Sequence, residues 1–318
     1  LQIQKVASVV LKDIHTDFNP QLLTLEMPAP GSESYRRHLI DLKEALYGNG
    51  KYMPTATRLN DTALLAAPEI LTGWEGNIMG TGVPNDNDMA ISNDGKIISV
   101  INSSIYIYNS DGSFLYSVSL SAFCDTLGNA YSKFDPKVLY DPRADKFVLL
   151  FLAGFTPEQT NVIIAFSETN DPLGEWNFYA LPGNPKNNDR WTDFPMFALT
   201  EEELFLTINL IIPDEPWQTG FSETLIWQMS LDKGYNGDTI DAVYYDSIFF
   251  AGNPIRNLNP VRGGSPTYGP DMYFLSTFKK SSGCVLANIS SPQPTDSYNG
   301  IFIVSRTYGD STDSKIIL

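Results

Sequence analysis

A chain of 318 residues can bury a large core, and all-β folds of this length often form a single domain. Only 18% of the residues are charged, whereas 12% are aromatic and 23 Gly and 21 Pro punctuate the chain, a composition of short strands and turns rather than long surface helices. The net charge of −16 repels phosphate backbones and anionic lipid and so argues against nucleic acid as a partner; it serves solubility or attracts Ca²⁺.

Residues 1–75 read as an N-terminal extension. A start at Leu1 in place of Met suggests a processed terminus with a signal peptide removed. No apolar run approaches the roughly 20 residues that span a bilayer. Leu39, Ile40, Leu42, Leu46 and Tyr47 fall near helical spacing, with Ser34 as N-cap and Gly48 beyond the end, which predicts one amphipathic helix over 34–47. Its exposed face mixes charges of both signs, which suits packing on the rim of the next domain better than contact with a membrane.

Residues 76–318 change to period-two alternation with turn punctuation. Strands at 88–92, 96–100, 104–108 and 114–118 are separated by Asn93-Asp94-Gly95 and Ser110-Asp111-Gly112, which predicts a four-stranded antiparallel unit. A second set runs through 137–140, 147–152, 162–167 and 176–180, and a third through 194–199, 204–210, 224–229 and 242–245. A fourth is expected to start near Ser265, with strands at 271–277, 285–289 and 301–304. Units recurring every 50 to 60 residues predict an all-β fold, a β-propeller with four-stranded blades. The last residues, Ile316-Ile317-Leu318, read as the beginning of a next strand, so further C-terminal blades, or a partner closing the sheet edge, are expected.

The phrases Pro84-Asn85-Asp86, Asp135-Pro136-Lys137-Val138-Leu139-Tyr140-Asp141, Ser167-Glu168-Thr169-Asn170-Asp171-Pro172-Leu173-Gly174-Glu175-Trp176 and Trp191-Thr192-Asp193-Phe194-Pro195 resemble those of a broad family of bacterial secreted propellers. The first departs from that pattern, with Asn85 where Pro is usual. The resemblance implies fold and export but no single activity. A second resemblance is to the Asp-Ser/Thr-aliphatic acceptor for O-glycosylation of exported Bacteroidota proteins, at Thr62, Thr126, Thr239 and Ser247. It implies surface glycans and a periplasmic, secreted or cell-surface location, with type IX secretion as a fitting setting.

In a propeller the innermost strand of each blade begins at the face where ligands usually bind. The residues just before those strands are Asp86 and Asp88, Asp135, Asp193 and Arg262, carboxylates from three blades facing one basic side chain. Such a ring can hold Ca²⁺ through Asp86 and Asp88, orient a ligand through Asp135, Asp193 and Arg262, or supply acid and base from Asp86, Asp135 and Asp193. The competing reading is structural, because Asp before a strand often caps a turn or accepts backbone N–H bonds from a neighbouring blade. Trp176, Trp191 and Trp227 read as core residues, and Trp217 as an exposed ligand contact.

Other chemistries find little support. The two histidines, His15 and His38, precede the strand units, and neither a Gly-x-Ser-x-Gly elbow, an HExxH helix nor a phosphate loop occurs. Cys124 and Cys284 lie in different units, and their spacing leaves one long-range disulfide and two free thiols equally open. The expected function is a non-catalytic binding or assembly module recognising a protein partner or a glycan. The alternatives are a propeller glycosidase or lyase and a subunit of a large secretion or motility complex at the outer membrane. No cofactor beyond Ca²⁺ is implied.

Overall fold

Apolar alternation broken by Gly, Pro and Asp turns leaves each segment with one pairing solution, the antiparallel meander. The structure, a computed structural model, describes residues 1–15, 41, 73–78, 85–128, 131–215, 219–250, 252–262 and 272–277, and the backbone of strands at 284–289, 301–306 and 314–317. The chain divides into two compact units, Leu1–Gln21 with Glu75–Leu318, and Leu22–Trp74. Apart from Asp41, the helix expected at 34–47 lies outside the described residues, as do Thr62 and Trp217.

The strands of the larger unit, in chain order, begin with β1 (Gln2–Ile3) and β2 (Lys5–Val10). The first blade follows with β3 (Asp88–Ile91), β4 (Lys96–Ile101), β5 (Ser104–Asn109) and β6 (Phe114–Ser119). The second holds β7 (Lys133–Asp141), β8 (Lys146–Ala153), β9 (Asn161–Ser167) and β10 (Glu175–Pro182). The third holds β11 (Trp191–Leu199), β12 (Glu203–Ile211), β13 (Phe221–Ser230) and β14 (Ile240–Tyr245). After a two-stranded ribbon, β15 (Phe249–Phe250) and β16 (Asn253–Pro254), comes the fourth. It holds β17 (Asn259–Pro260), β18 (Met272–Thr277), β19 (Cys284–Ile289), β20 (Ile301–Arg306) and β21 (Ser314–Ile317).

Within every blade the strands pair in sequence order, and the first strand of each lies against the first strand of the next: β3 on β7, β7 on β11, β11 on β17. The fold is an all-β propeller. Its blades are glued by their faces. In β8, Phe147, Leu149 and Phe151 point at the first blade, where Ile98, Val100, Ile105 and Ile107 meet them. The intervening Val148, Leu150 and Leu152 point at Leu206, Ile208 and Trp227 of the third. A strand sandwiched on both sides explains why β8 is an unbroken apolar run; each fully buried Leu or Phe contributes about 1.5–3 kcal/mol.

Three expectations are corrected. Residues 1–10 are not part of a separate extension, because β1 pairs with β14 and β2 with β10, giving the third and second blades a fifth strand. The fourth unit begins at β17, before Ser265, and the C-terminal strand β21 pairs with β20 as that blade's own outer strand rather than opening another unit. The Ser167–Trp176 phrase has a structural role. Asp171 caps its turn by accepting from Leu173 N at 3.1 Å, Trp176 Nε1 donates to Pro172 O at 2.9 Å, and Ser167 Oγ accepts from Phe147 N at 2.7 Å.

The inner strands share one irregular feature. Asp86, Asp135, Phe194 and Asn257, one in each blade, have φ of 44°, 51°, 54° and 51°, left-handed values that cost a non-glycine residue roughly 1–2 kcal/mol. In the second and third blades a bulge with proline carries the feature: the register shifts between Phe134 and Lys137 around Pro136, and between Asp193 and Met196 around Pro195. Two asparagines hold such residues in place. Asn102 Oδ1 accepts from Asp135 N at 2.7 Å while its Nδ2 donates to Asp86 Oδ2 at 2.7 Å. Asn209 Oδ1 accepts from Asn257 N at 3.3 Å while its Nδ2 donates to Asn257 Oδ1 at 2.6 Å. Each stitches its blade to the next. Asn102→Leu should therefore cost about 1–3 kcal/mol in chemical denaturation, the penalty for stranding an N–H and a carboxylate. A loss of only a few tenths would show that the stitch is dispensable.

Candidate functional site

The left-handed entry residues, and those beside them, gather at the end of the channel where the inner strands begin. Asp86, Asp135 and Asp193 come from three successive blades and are half-buried. Asp135 hydrogen-bonds with Asp86 and feels the charges of both Asp193 and Asp86. Burial first, then those two carboxylates, push it up to about 7, against a weak opposing pull from Lys137. Asp193 is also raised, chiefly by burial, while the Phe194 N–H and Arg256 draw it back. The Arg256 guanidinium lies beside Asp193 and over the Phe221 ring, 5.3 Å from its centroid.

The structure thus brings together three of the carboxylates singled out in the sequence and separates the other two residues from them. Arg262 donates to Asp88 through Nη1 at 3.2 Å and Nη2 at 3.1 Å, a bidentate pair joining the fourth blade to the first. Its Nε donates to Phe197 O of the third blade at 3.2 Å. Asp88 Oδ2 also accepts from Val138 N of the second blade at 3.1 Å. Both residues act as struts between blades, each engaged by the other. Among the described residues no three carboxylate, His or Cys groups are arranged to hold a metal ion.

Pattern reading missed the aromatic groups beside the carboxylates. Phe134 precedes Asp135, Trp191 lies two residues before Asp193, and Phe155 projects from the loop between β8 and β9. Trp176 and Trp227 are buried in blade cores as expected, but Trp191 is half-exposed in this aromatic group. Phe194, between Asp193 and Pro195, is 38% exposed. The period-two pattern carried the available signal: Trp191 and Asp193 flank the buried Thr192 and share one strand face.

The remaining candidates lie elsewhere. Thr126 and Ser247 are exposed, while Thr239 donates to Gln4 Oε1 at 2.9 Å. Cys124 is a free, buried thiol pushed up to about 11 by burial, unsuited to nucleophilic work at neutral pH.

No family model and no curated protein matches the chain. Among solved structures it is similar to a mutant of Cellvibrio cellulosa alpha-L-arabinanase, at 10% identity and a TM-score of 0.36 over 72% of each chain. It is similar to a subtype N11 neuraminidase-like protein of A/flat-faced bat/Peru at 7% identity and a TM-score of 0.36, over 73% of this chain and 86% of that one. It is also similar to a mutant B. megaterium levansucrase, at 8% identity and a TM-score of 0.27, over 73% and 85%. At such scores no role passes from these proteins to this chain.

What the site offers chemically is a carboxyl that keeps its proton near neutral pH, beside carboxylates that accept. The same proton makes stability depend on pH. Below the ordinary value of 3.8 Asp135 is protonated whether the chain is folded or not. Between 3.8 and about 7 the unfolded chain has released the proton and the folded one has not, so stability falls as pH rises and levels off above about 7. Asp135→Asn, which mimics the neutral acid, should gain melting temperature over the wild type progressively across that window. A gap independent of pH would contradict the assignment.

Proposed function

We propose that the channel mouth recognises a glycan. The observation that carries this reading is the grouping of Asp86, Asp135 and Asp193, with Asp135 protonated to about pH 7. A protonated carboxyl donates one hydrogen bond and the carboxyl oxygens around it accept, a pairing that suits vicinal hydroxyls, which do both. Exposed aromatic rings beside polar groups are the usual complement of a sugar face.

The same proposal sets the protein outside the cytoplasm, in the periplasm or at the cell surface. The family phrases, the acidic surface and the exposed Asp-Thr and Asp-Ser sites at Thr126 and Ser247 support that setting. Membership of a larger surface or secretion assembly fits the same location, the glycan then being displayed by a partner.

A second reading is cleavage of the glycosidic bond, favoured by one specific feature: an acid that retains its proton near pH 7 is what protonation of a leaving oxygen requires. Asp135 would be the acid and Asp193 or Asp86 the partner carboxylate.

One set of variants separates the two. Affinity for a panel of oligosaccharides, measured by titration calorimetry, should fall about tenfold in Asp193→Ala through loss of a charged acceptor. In the wild type it should weaken as pH rises through about 7, whereas Asp135→Asn, which keeps a donor, should be insensitive to that change. Release of reducing ends by the wild type but not by Asp135→Asn would establish cleavage. Absence of binding to any glycan would overturn the reading.

A further inference from the structure

Beside the carboxylates, three rings from two blades make one apolar surface. Phe134, near the head of β7, stacks on Phe155, with centroids 4.4 Å apart and planes 16° from parallel. Trp191, the first residue of β11, meets Phe155 edge-on at 6.0 Å and Phe134 at 6.4 Å. Phe155 leaves 50% of its surface in water. Neither Phe155 nor Trp191 belongs to a buried cluster between blades, so their packing does not account for their presence. An exposed ring pair backed by a third ring is rigid and loses little entropy on binding.

Placement narrows the occupant. Alternate residues on one strand face are roughly 7 Å apart, so Trp191 stands about one sugar residue from Asp193, and Phe134 adjoins Asp135 directly. A carbohydrate ring has a C–H face to lie on an aromatic plane and an edge of hydroxyls to meet carboxylates. Charge narrows it further. Lys186 is held by Glu223 at 2.8 Å and Asp246 at 3.3 Å, Arg262 by Asp88, and Arg190 donates through Nη1 to the backbone O of Asp189 at 2.6 Å. Lys137 and Arg256 act on Asp135 and Asp193 at the mouth, but within a chain of net charge −16 the overall field still disfavours sialic, uronic or sulfated sugars.

We infer that Phe155 and Trp191, backed by Phe134, form a stacking subsite for one ring of a neutral glycan whose next residue reaches Asp135 and Asp193. The inference rests on the glycan reading of the channel mouth and adds the ring-stacking contact and the uncharged substrate class.

The test titrates the full chain with neutral oligosaccharides of glucose, mannose, galactose, xylose and arabinose, and with sialylated and uronate-bearing oligosaccharides as the anionic set. Calorimetry and Trp fluorescence are the readouts. Neutral ligands should bind and anionic ones should not. Phe155→Ala and Trp191→Ala should each weaken the best neutral ligand about tenfold, with Trp191→Phe restoring most of the affinity. Phe155 is exposed, so its variant stays informative even where loss of Trp191 disturbs folding. Tighter binding of the anionic set, or of an apolar peptide instead of any sugar, overturns the inference. Unchanged affinity in both alanine variants overturns the subsite but leaves the glycan reading standing. Failure of every oligosaccharide to bind the wild type removes both.

Discussion

Every inner strand of this propeller enters through a residue bent into the left-handed region, and the channel mouth exists because of those four bends. An extended strand would carry Asp86, Asp135 and Asp193 past the rim with side chains alternating into the blades. A positive φ at Asp86, Asp135 and Phe194 re-aims the chain at its first residues, and in the second and third blades a bulge there leaves backbone groups without ladder partners. Such conformations persist only where the surroundings over-determine them. Asn102 and Asn209 do so by accepting from the N–H of the next blade's bent residue, at Asp135 and Asn257. The corresponding position of the second blade is Leu152, and its neighbour across the blade boundary is held instead through Thr160 Oγ1, which accepts from Thr192 N at 3.0 Å.

The carboxylates of the inner strands fall into two groups, those locked into ion pairs and those held close to one another. Asp88 and Arg262 neutralise each other and tie the fourth blade to the first. Asp86 is braced by Asn102 and serves as the wall against which Asp135 is held. Among the described residues no cation lies at salt-bridge distance from Asp135, and burial beside two carboxylates favours neutralisation by a proton. Burying carboxyls beside one another in this way is destabilising on its own account.

Much of the fold was legible because the signals were local. Period-two alternation, Asn-Asp-Gly and Asp-Pro turns and the recurrence of four-strand sets located the strands of the second and third blades to within a few residues. The errors involve pairing over long distances. Strands β1 and β2 join blades more than 160 residues away, and nothing in Gln2–Val10 names their partners. β17 is two residues long and gives no period to read. At the channel mouth, the Asp-Pro and Asp-Phe-Pro phrases marked carboxylates that the fold brings near one another. Alternation put Trp191 on one strand face with Asp193, but how far that face is covered depends on the neighbouring blade, and the delivery of Arg256 beside Asp193 likewise depends on a distant part of the chain.

The channel mouth is a site only if three aspartates share it closely enough for one to keep its proton. Carboxyl ¹³C resonances of the Asp-labelled protein, followed by NMR from acid to mildly alkaline pH, test this directly. The prediction is one aspartate with a midpoint at about 7, absent from Asp135→Asn and displaced when a neutral oligosaccharide binds. Every aspartate titrating close to the ordinary 3.8 would mean that the carboxylates do not converge, and the channel mouth would lose its claim to be a site.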